Sequence, residues 1–516
     1  MPLDKFTLSV FCCSIKDQDA ASYNELMKQE PEIKRGDKVE VRITSLAPGG
    51  EGVSKDFGMP IFVNRVAEGD RALIEIFDRR SNFARGRVLE ILAPSPDRAE
   101  PPCKLFKVCG GCQWQHISYE GQLKAKEQII KQALNHIGGL DAASVKEVIP
   151  SGKQLFYRNK VQFPVRQPKG SDRILAGYYE QDSHNLVNVK HCPIQPKALD
   201  EMLEAAKASC EQFRVSAYNE ITGEGLLRFI NARYSEENEQ ILVTLVVNCA
   251  KTKIPDYLKQ AALDIAEKLS SVVGVCLNFN TKPGNRILGE ETVCITGKPY
   301  LEETLKTKRT DYPEELKTGL TFRLSSSSFF QVNTEQAVNI FECLSDFILD
   351  FSSVAKVAPA EMVVLDAYAG VGAIALWLSP FVKKVLAVEE VADAVKDGHV
   401  NLELNRIENV DFRLGKVEQV LPKLFNEGVR PHVVIVDPPR RGCSEKALEA
   451  VLAFAPPLIL YVSCNPVTLA RDLKLIIGDG ESKCGYKTVE IQPVDLFPQT
   501  YHIESIAVLQ RQPQYG

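Results

Sequence analysis

From about Leu320 to the C-terminus, short apolar runs alternate with helical stretches, and this alternation limits the fold more than any other feature of the chain. The runs are "MVVLDAYAG", "KVLAVEE", "VDFRLG", "HVVIVDPP" and "LILYVSCNP". Most read as strands buried on both faces, because apolar residues follow one another instead of alternating with polar ones. Buried strands separated by helices build a doubly wound α/β sheet. Such sheets take ligands in the crevice at the carboxyl ends of their strands, so the polar residues that close the runs are the first candidates for a site.

Three acids stand at such ends. Asp366 closes the first strand, and Gly370 and Gly372 follow it, letting the backbone turn tightly beside a ligand. A plain strand-to-helix turn would also explain the glycines, but not the acids. Glu389 ends the second strand, twenty-three residues after Asp366, where a carboxylate can accept from both hydroxyls of a ribose. Asp437 ends the fourth, and Pro438 and Pro439 hold the next segment extended. No phosphate-cradling lysine follows the glycines, which argues against a nucleoside triphosphate. A dinucleotide or S-adenosylmethionine remains.

The fifth run ends at Cys464, flanked by Ser463 and Asn465, with Pro466 fixing the turn. An inert core cysteine fits the strand alone equally well. The polar flanks favour a functional thiol, and a helix start nearby favours its thiolate. Glu504 enters a final strand with His502 two residues before it on the same face, an unusual pair for a half-buried strand.

Ahead of this region, short strands between Lys34 and about Leu92 predict a small β-barrel, and "PSPDRAEPP" marks its end. The following segment mixes strands and helices, and carries Cys103, Cys109 and Cys112 spaced C-x5-C-x2-C around Gly110 and Gly111. Cys192, beside Pro193, is the best candidate for a fourth ligand. On spacing alone, zinc and an iron–sulfur cluster fit equally. His116 and His191 read as neighbours of the ligands. The other cysteines, Cys249, Cys276 and Cys343 among them, sit singly in apolar segments and read as core, so fourteen cysteines in 516 residues suit a reducing compartment.

The net charge of −5 excludes a chain coated in positive charge but not a local RNA-binding face. Arg79 to Arg87 holds four arginines and no acid, which reads either as such a face or as a solvated hairpin edge. "FYRNKVQFPV" places Tyr157, Arg158 and Lys160 together, as an RNA surface that stacks and attracts or as an ordinary exposed strand. No apolar run is long enough to span a bilayer, so no membrane partner is expected. The N-terminus lacks a basic flank and a small-residue cleavage site, so no secretory signal is expected. Its acids and lack of arginine make it a poor transit peptide. The cytoplasm is the expected location, with a plastid or other organelle as the alternative if a transit segment has been removed.

Together, "LDAYAGVGA", "DPPRRG", "YVSCNPVTLARDL", "FPQTYHIES" and "SFFQVN" at Ser328–Asn333 resemble the S-adenosylmethionine-dependent RNA uridine-5 methyltransferases. The resemblance runs from the barrel to the C-terminus. It implies an α/β, Rossmann-like methyltransferase domain at 321–516 and an OB-like TRAM barrel at 34–93. Between them lies an α+β central domain at 94–320 with the cysteines, and residues 1–33 form an N-terminal extension. It implies Gln331, Tyr368, Glu389 and Asp437 at the cofactor, Cys464 as nucleophile and Glu504 as general base. The four cysteines resemble the four-iron, four-sulfur site of the ribosomal-RNA members, with zinc as the alternative. A monomer acting on a large-subunit ribosomal-RNA uridine is expected, and the transfer-RNA T-loop is the runner-up. A non-catalytic RNA-binding metalloprotein of the same fold is a further alternative. Ala373, and Gly415 with Lys416, depart from the family's usual polar residues near the cofactor.

Overall fold

The structure, a computed structural model, describes residues 33–478 and 485–512. Apart from Ile33, the N-terminal extension expected at 1–33 lies outside the described residues. The first six strands are β1 (Lys38–Arg42), β2 (Ser45–Leu46), β3 (Gly52–Ser54), β4 (Ile61–Val63), β5 (Arg71–Arg79) and β6 (Ala84–Ala93). They form one sheet in the order β1-β5-β6-β4-β3-β2 around a core that includes Ile43, Val63, Ile74 and Ile76.

Helix α1 (Tyr119–Ala133) starts where the Ser118 hydroxyl accepts from the N–H of Gly121. It ends in a wide turn at Leu134–Gly138, closed by Gly139 at φ 62°. The helix serves two cores. Ala125 and Ile129 pack into the barrel beside Trp114, whereas Ile130 and Ala133 pack against the C-terminal sheet.

The middle of the chain folds as a seven-stranded sheet. Its elements are β7 (Lys160–Arg166), β8 (Leu175–Tyr179), β9 (Leu186–Asn188), α2 (Lys197–Gln212), β10 (Leu227–Ser235), β11 (Gln240–Val247), α3 (Asp256–Lys268), β12 (Val272–Phe279) and β13 (Glu291–Gly297). The strand order is β13-β12-β11-β10-β7-β8-β9. A hairpin of β14 (Tyr300–Leu305) and β15 (Leu320–Ser325), with the short helix α4 (Glu314–Thr318) between them, follows.

The C-terminal sheet is the doubly wound one. After α5 (Thr334–Ala355) come β16 (Val363–Asp366), α6 (Ala373–Leu378), β17 (Lys384–Glu389), α7 (Ala392–Asn405), β18 (Val410–Leu414) and α8 (Val417–Asn426). Then follow β19 (Val433–Val436), α9 (Glu445–Ala453), β20 (Leu458–Ser463), α10 (Pro466–Ile477), β21 (Tyr486–Val494) and β22 (Glu504–Arg511). The order is β18-β17-β16-β19-β20-β22-β21, and β22 alone runs opposite to the others. The order reverses between β16 and β19, which opens a crevice at their carboxyl ends.

Two parts of the segment expected as one unit at 94–320 pack against the C-terminal sheet. Val145 and Val148 join the core of the C-terminal sheet, and residues 145 and 149 bridge to β21. The hairpin residues Leu301, Leu305, Phe322 and Leu324 do the same on the other face, so the boundary at 320 falls inside a hairpin. Periodicity could not show this, because these residues are recruited by a sheet more distant in sequence. Of the cysteines read as core, Cys276 is buried, while Cys249 and Cys343 are half-buried. Among the described residues, no helix is long and apolar enough to cross a membrane.

Candidate active site

The crevice is a cavity of about 1210 Å³, and Gln331, Tyr368, Glu389, Asp437, Cys464 and Glu504 all line it. The turn after β16 shapes one end. Gly370 and Gly372 have φ of 56° and 85°, and a Cβ on Gly372 would stand 2.6 Å from the Phe412 ring. This tight turn aims the N–H of Gly370 at one carboxylate oxygen of Glu389 (2.9 Å), while the N–H of Val391 holds the other (2.8 Å). The carboxylate is thereby fixed with lone pairs left for a ligand's hydroxyl groups. Gln331 sits on a loop pinned from the central sheet, where the Asn159 amide donates to the Gln331 carbonyl (3.1 Å).

The other end carries the reactive groups. Asn465 caps α10, accepting from the N–H of Val467 (3.0 Å), and its amide donates to the carbonyl of Arg440 (3.1 Å). The guanidinium of Arg471 donates to the carbonyls of Arg441 and Cys443. The segment after Asp437 is thus clamped to α10, and Arg440 is brought to the same cavity as Cys464.

Burial dominates the electrostatics. It raises the Asp437 carboxyl to about 7. It raises that of Glu504 well above its ordinary value, and repulsion from Asp437 adds to this. The Cys464 thiol is pushed up to about 12, first by burial and then by the charge of Glu504, with Arg440 opposing. This corrects the expectation of a ready thiolate. A helix terminus contributes about 1 kcal/mol or less, whereas a three-unit rise corresponds to about 4 kcal/mol.

Two further expectations are corrected. Asp366 does not reach the cavity. It is fully buried beneath it, and burial with repulsion from Asp437 raises its carboxyl to about 8 against the opposing main-chain N–H of Tyr368. His502 precedes β22 and packs its ring against Tyr501 and Phe497. Burial lowers it to about 3, so it is a neutral packing residue.

Cys103, Cys109, Cys112 and Cys192 meet at a second cavity of about 140 Å³, which Arg158 also lines. Burial, with Cys109 and Cys103 adding to it and Gln115 opposing, raises the Cys112 thiol to about 12. Among the described residues, no group of three or more histidines, cysteines or acids is arranged to hold a single metal ion. His191 instead bonds to Asp200, and His116 is buried against Phe106.

Tyr157 offers no stacking surface. It is buried, and its hydroxyl donates to the carbonyl of Pro498 (2.9 Å). Arg80 pairs with the nearby Asp78, whereas Arg85 and Arg87 pair with Glu51 and Glu75 elsewhere in the barrel.

The family model for tRNA (uracil-5-)-methyltransferases matches residues 118–512. The chain belongs to that family. It is an S-adenosylmethionine-dependent RNA (uracil-5-)-methyltransferase, and the TRAM domain model matches its barrel at residues 32–89. The methyltransferase is 37% identical over 485 residues to a protein of Bacillus cereus called an uncharacterized RNA methyltransferase, covering 94% of this chain and 99% of that one. A protein of Clostridium tetani with the same description is 38% identical, covering 94% and 98%. Among solved structures, the Pyrococcus abyssi tRNA (uracil-54, C5)-methyltransferase in complex with S-adenosyl-L-homocysteine superposes with a TM-score of 0.67 at 25% identity. That match covers 91% of this chain and all of the other.

Arg440 and Phe497 are among the cavity residues of this methyltransferase that sequence reasoning missed. Arg440 was visible inside "DPPRRG", but only its approach to Cys464 gives its charge a meaning. Phe497 had no signal beyond lying in "FPQTYHIES". Gly415 and Lys416, where the chain departs from the family pattern, do line the cavity.

Proposed function

We propose that this methyltransferase methylates carbon 5 of a uridine in large-subunit ribosomal RNA through a covalent cysteine–uracil adduct. The observation that carries this reading is the convergence of Cys464, Glu504 and Asp437 on the cavity that Glu389 and Tyr368 also line. Carbon 5 of uracil is a weak nucleophile. Addition of the Cys464 thiolate to carbon 6 makes the ring an enolate, and carbon 5 then becomes reactive. Arg440 favours the thiolate against the neighbouring acids. When bound, S-adenosylmethionine supplies the methyl group as an electrophile, and Gln331, Tyr368, Glu389 and Asp437 are the residues to hold it. Glu504 then takes the proton from carbon 5, the bond from carbon 6 to sulfur breaks, and the thiolate returns. Burial suits Glu504 to this work, because a desolvated carboxylate is a stronger base. The uracil must leave its stack to reach the cavity, so base flipping is part of the reading.

The four cysteines are assigned to a four-iron, four-sulfur cluster. What supports this is that all four line one cavity, with Arg158 beside them. The cluster's part is structural, since methyl transfer moves no electron. Among the described residues no cysteine is joined in a disulfide, which suits the reducing cytoplasm.

The T-loop uridine of transfer RNA is the second reading, favoured by the likeness to the Pyrococcus enzyme. Mapping 5-methyluridine in a strain lacking this protein separates the two. Loss of the mark from ribosomal RNA is expected, and loss only from transfer RNA rejects the ribosomal assignment.

A further inference from the structure

The loop between β12 and β13 belongs to the central sheet, yet residues 285–290 line the cavity that holds Cys464. Three buried polar side chains hold it in shape. Arg228, 4% exposed, donates to the carbonyls of Asn280 and Lys282 (both 2.8 Å) and also reaches that of Gly284. The Asn280 amide donates to the carbonyls of Arg286 (2.6 Å) and Ile287 (2.9 Å). The Asn278 amide donates to that of Gly289 (3.2 Å). Buried polar groups are costly unless satisfied, and here the loop's own carbonyls take both terminal nitrogens of Arg228 and the amides of Asn278 and Asn280.

This has a directional consequence. In a trans peptide the C=O and the following N–H point opposite ways. With the carbonyls of Gly284, Arg286 and Ile287 turned inward, the N–H groups of Asn285, Ile287 and Leu288 point outward. Among the described residues these three N–H groups donate to no protein acceptor. Arg286 and Lys282 stand on the same loop, and both lie against the carboxylate of Glu290. A ring of outward N–H groups flanked by two cations is a receptor for an anion.

We propose that residues 282–290 form a phosphate clamp that holds a phosphodiester of the RNA strand beside the flipped uridine. The proposal rests on the RNA-methylating reading of the cavity. Glu290 occupies the cations until the phosphate displaces it.

The test is steady-state kinetics on unmodified, in vitro transcribed large-subunit ribosomal RNA, with filter binding of that RNA across a salt series and titration of S-adenosylhomocysteine. Arg286→Ala should raise the RNA KM about five- to tenfold, leave kcat unchanged and reduce the salt slope of binding by about one. Its affinity for S-adenosylhomocysteine should not change. Glu290→Gln should act in the opposite sense and lower the RNA KM. Unchanged RNA binding in both variants overturns the clamp. Weakened S-adenosylhomocysteine binding overturns it too, assigning the loop to the cofactor's carboxylate. If the wild type methylates no RNA yet binds it with an Arg286-dependent salt slope, the catalytic reading falls and the clamp stands.

Discussion

Trp114, two residues beyond Cys112, donates its main-chain N–H to the carbonyl of Gln499, five residues before Glu504 (3.0 Å). The contact is one of a set. The Gln122 side chain accepts from the N–H of Gln499 (2.9 Å), Tyr157 bonds to Pro498, and Lys126 forms a buried ion pair with Asp495 (2.5 Å). The indole N–H of Trp114 also reaches the carbonyl of Gly50 in the barrel (3.0 Å). The segment that delivers Glu504 into the cavity is thus seated on the cysteine segment, on α1 and on the barrel.

This seating predicts that the cysteine centre and the base segment loosen together. Protein purified without oxygen should be brown, with iron and sulfide near four each per chain. Cys192→Ser should lose most of that iron. Hydrogen exchange at residues 495–502 should then rise by at least an order of magnitude, because the wall behind it is undone. Stoichiometric zinc without visible absorbance rejects the cluster. Unchanged iron in the variant removes Cys192 from the ligands.

Cys464 and Glu504 are separable by the order of the covalent steps. Cys464→Ala should abolish both methyl transfer and adduct, a loss of at least about 10³-fold. Glu504→Gln should allow attack and methylation but stall elimination. A protein–RNA adduct carrying the cofactor's methyl should then persist on a denaturing gel, in an amount that depends on S-adenosylmethionine. A folded Glu504→Gln protein with near-normal turnover would falsify its role as the base.

Glu389 is held by two main-chain N–H groups, so its truncation should act on the ligand and spare the fold. Glu389→Ala should weaken S-adenosylhomocysteine by about 10- to 100-fold, the range expected for a charged hydrogen bond. RNA binding should be unaffected. Calorimetry showing equal S-adenosylhomocysteine affinity would move the ribose elsewhere.

Asp366 sets a pH dependence of stability. Its carboxyl titrates near 8 when folded and near ~3.9 when unfolded, so the folded state binds its proton more tightly. The associated stability is fully present below about pH 4 and is lost as pH rises toward 8. Asp366→Asn keeps the shape and removes that loss. Relative to the wild type, its Tm should be similar at pH 4 and higher by about 2–4 °C or more at pH 8. A Tm difference that does not change with pH would show that Asp366 finds a partner in solution.

Much of the fold was legible because its signals are local. Buried parallel strands must be apolar along their whole length, so β16, β17, β19 and β20 announced themselves, and the polar residue ending each run had to lie at the carboxyl edge. Glu389, Asp437 and Cys464 were found in this way. Asp366 shows the limit of the rule. It ends its strand as the others do, but its side chain points beneath the floor, and no spacing distinguishes floor from wall.

Whatever depends on contacts between distant segments was not legible. The ionisation of Cys464 turns first on burial and then on Glu504 and Arg440, which approach it only through the antiparallel pairing of β20 with β22 and the clamping of the Arg440 loop onto α10. Tyr157 read as a surface aromatic because nothing nearby in the chain reveals that Pro498 will cover it. The loop at 282–290 carries no motif, and it joins the cavity only because the central sheet is docked across the crevice. Periodicity and turn chemistry act over a few residues, so they specify strands, helices and their edges. Burial, charge environment and cavity walls are sums over groups hundreds of residues apart, and these exist only once the chain has folded.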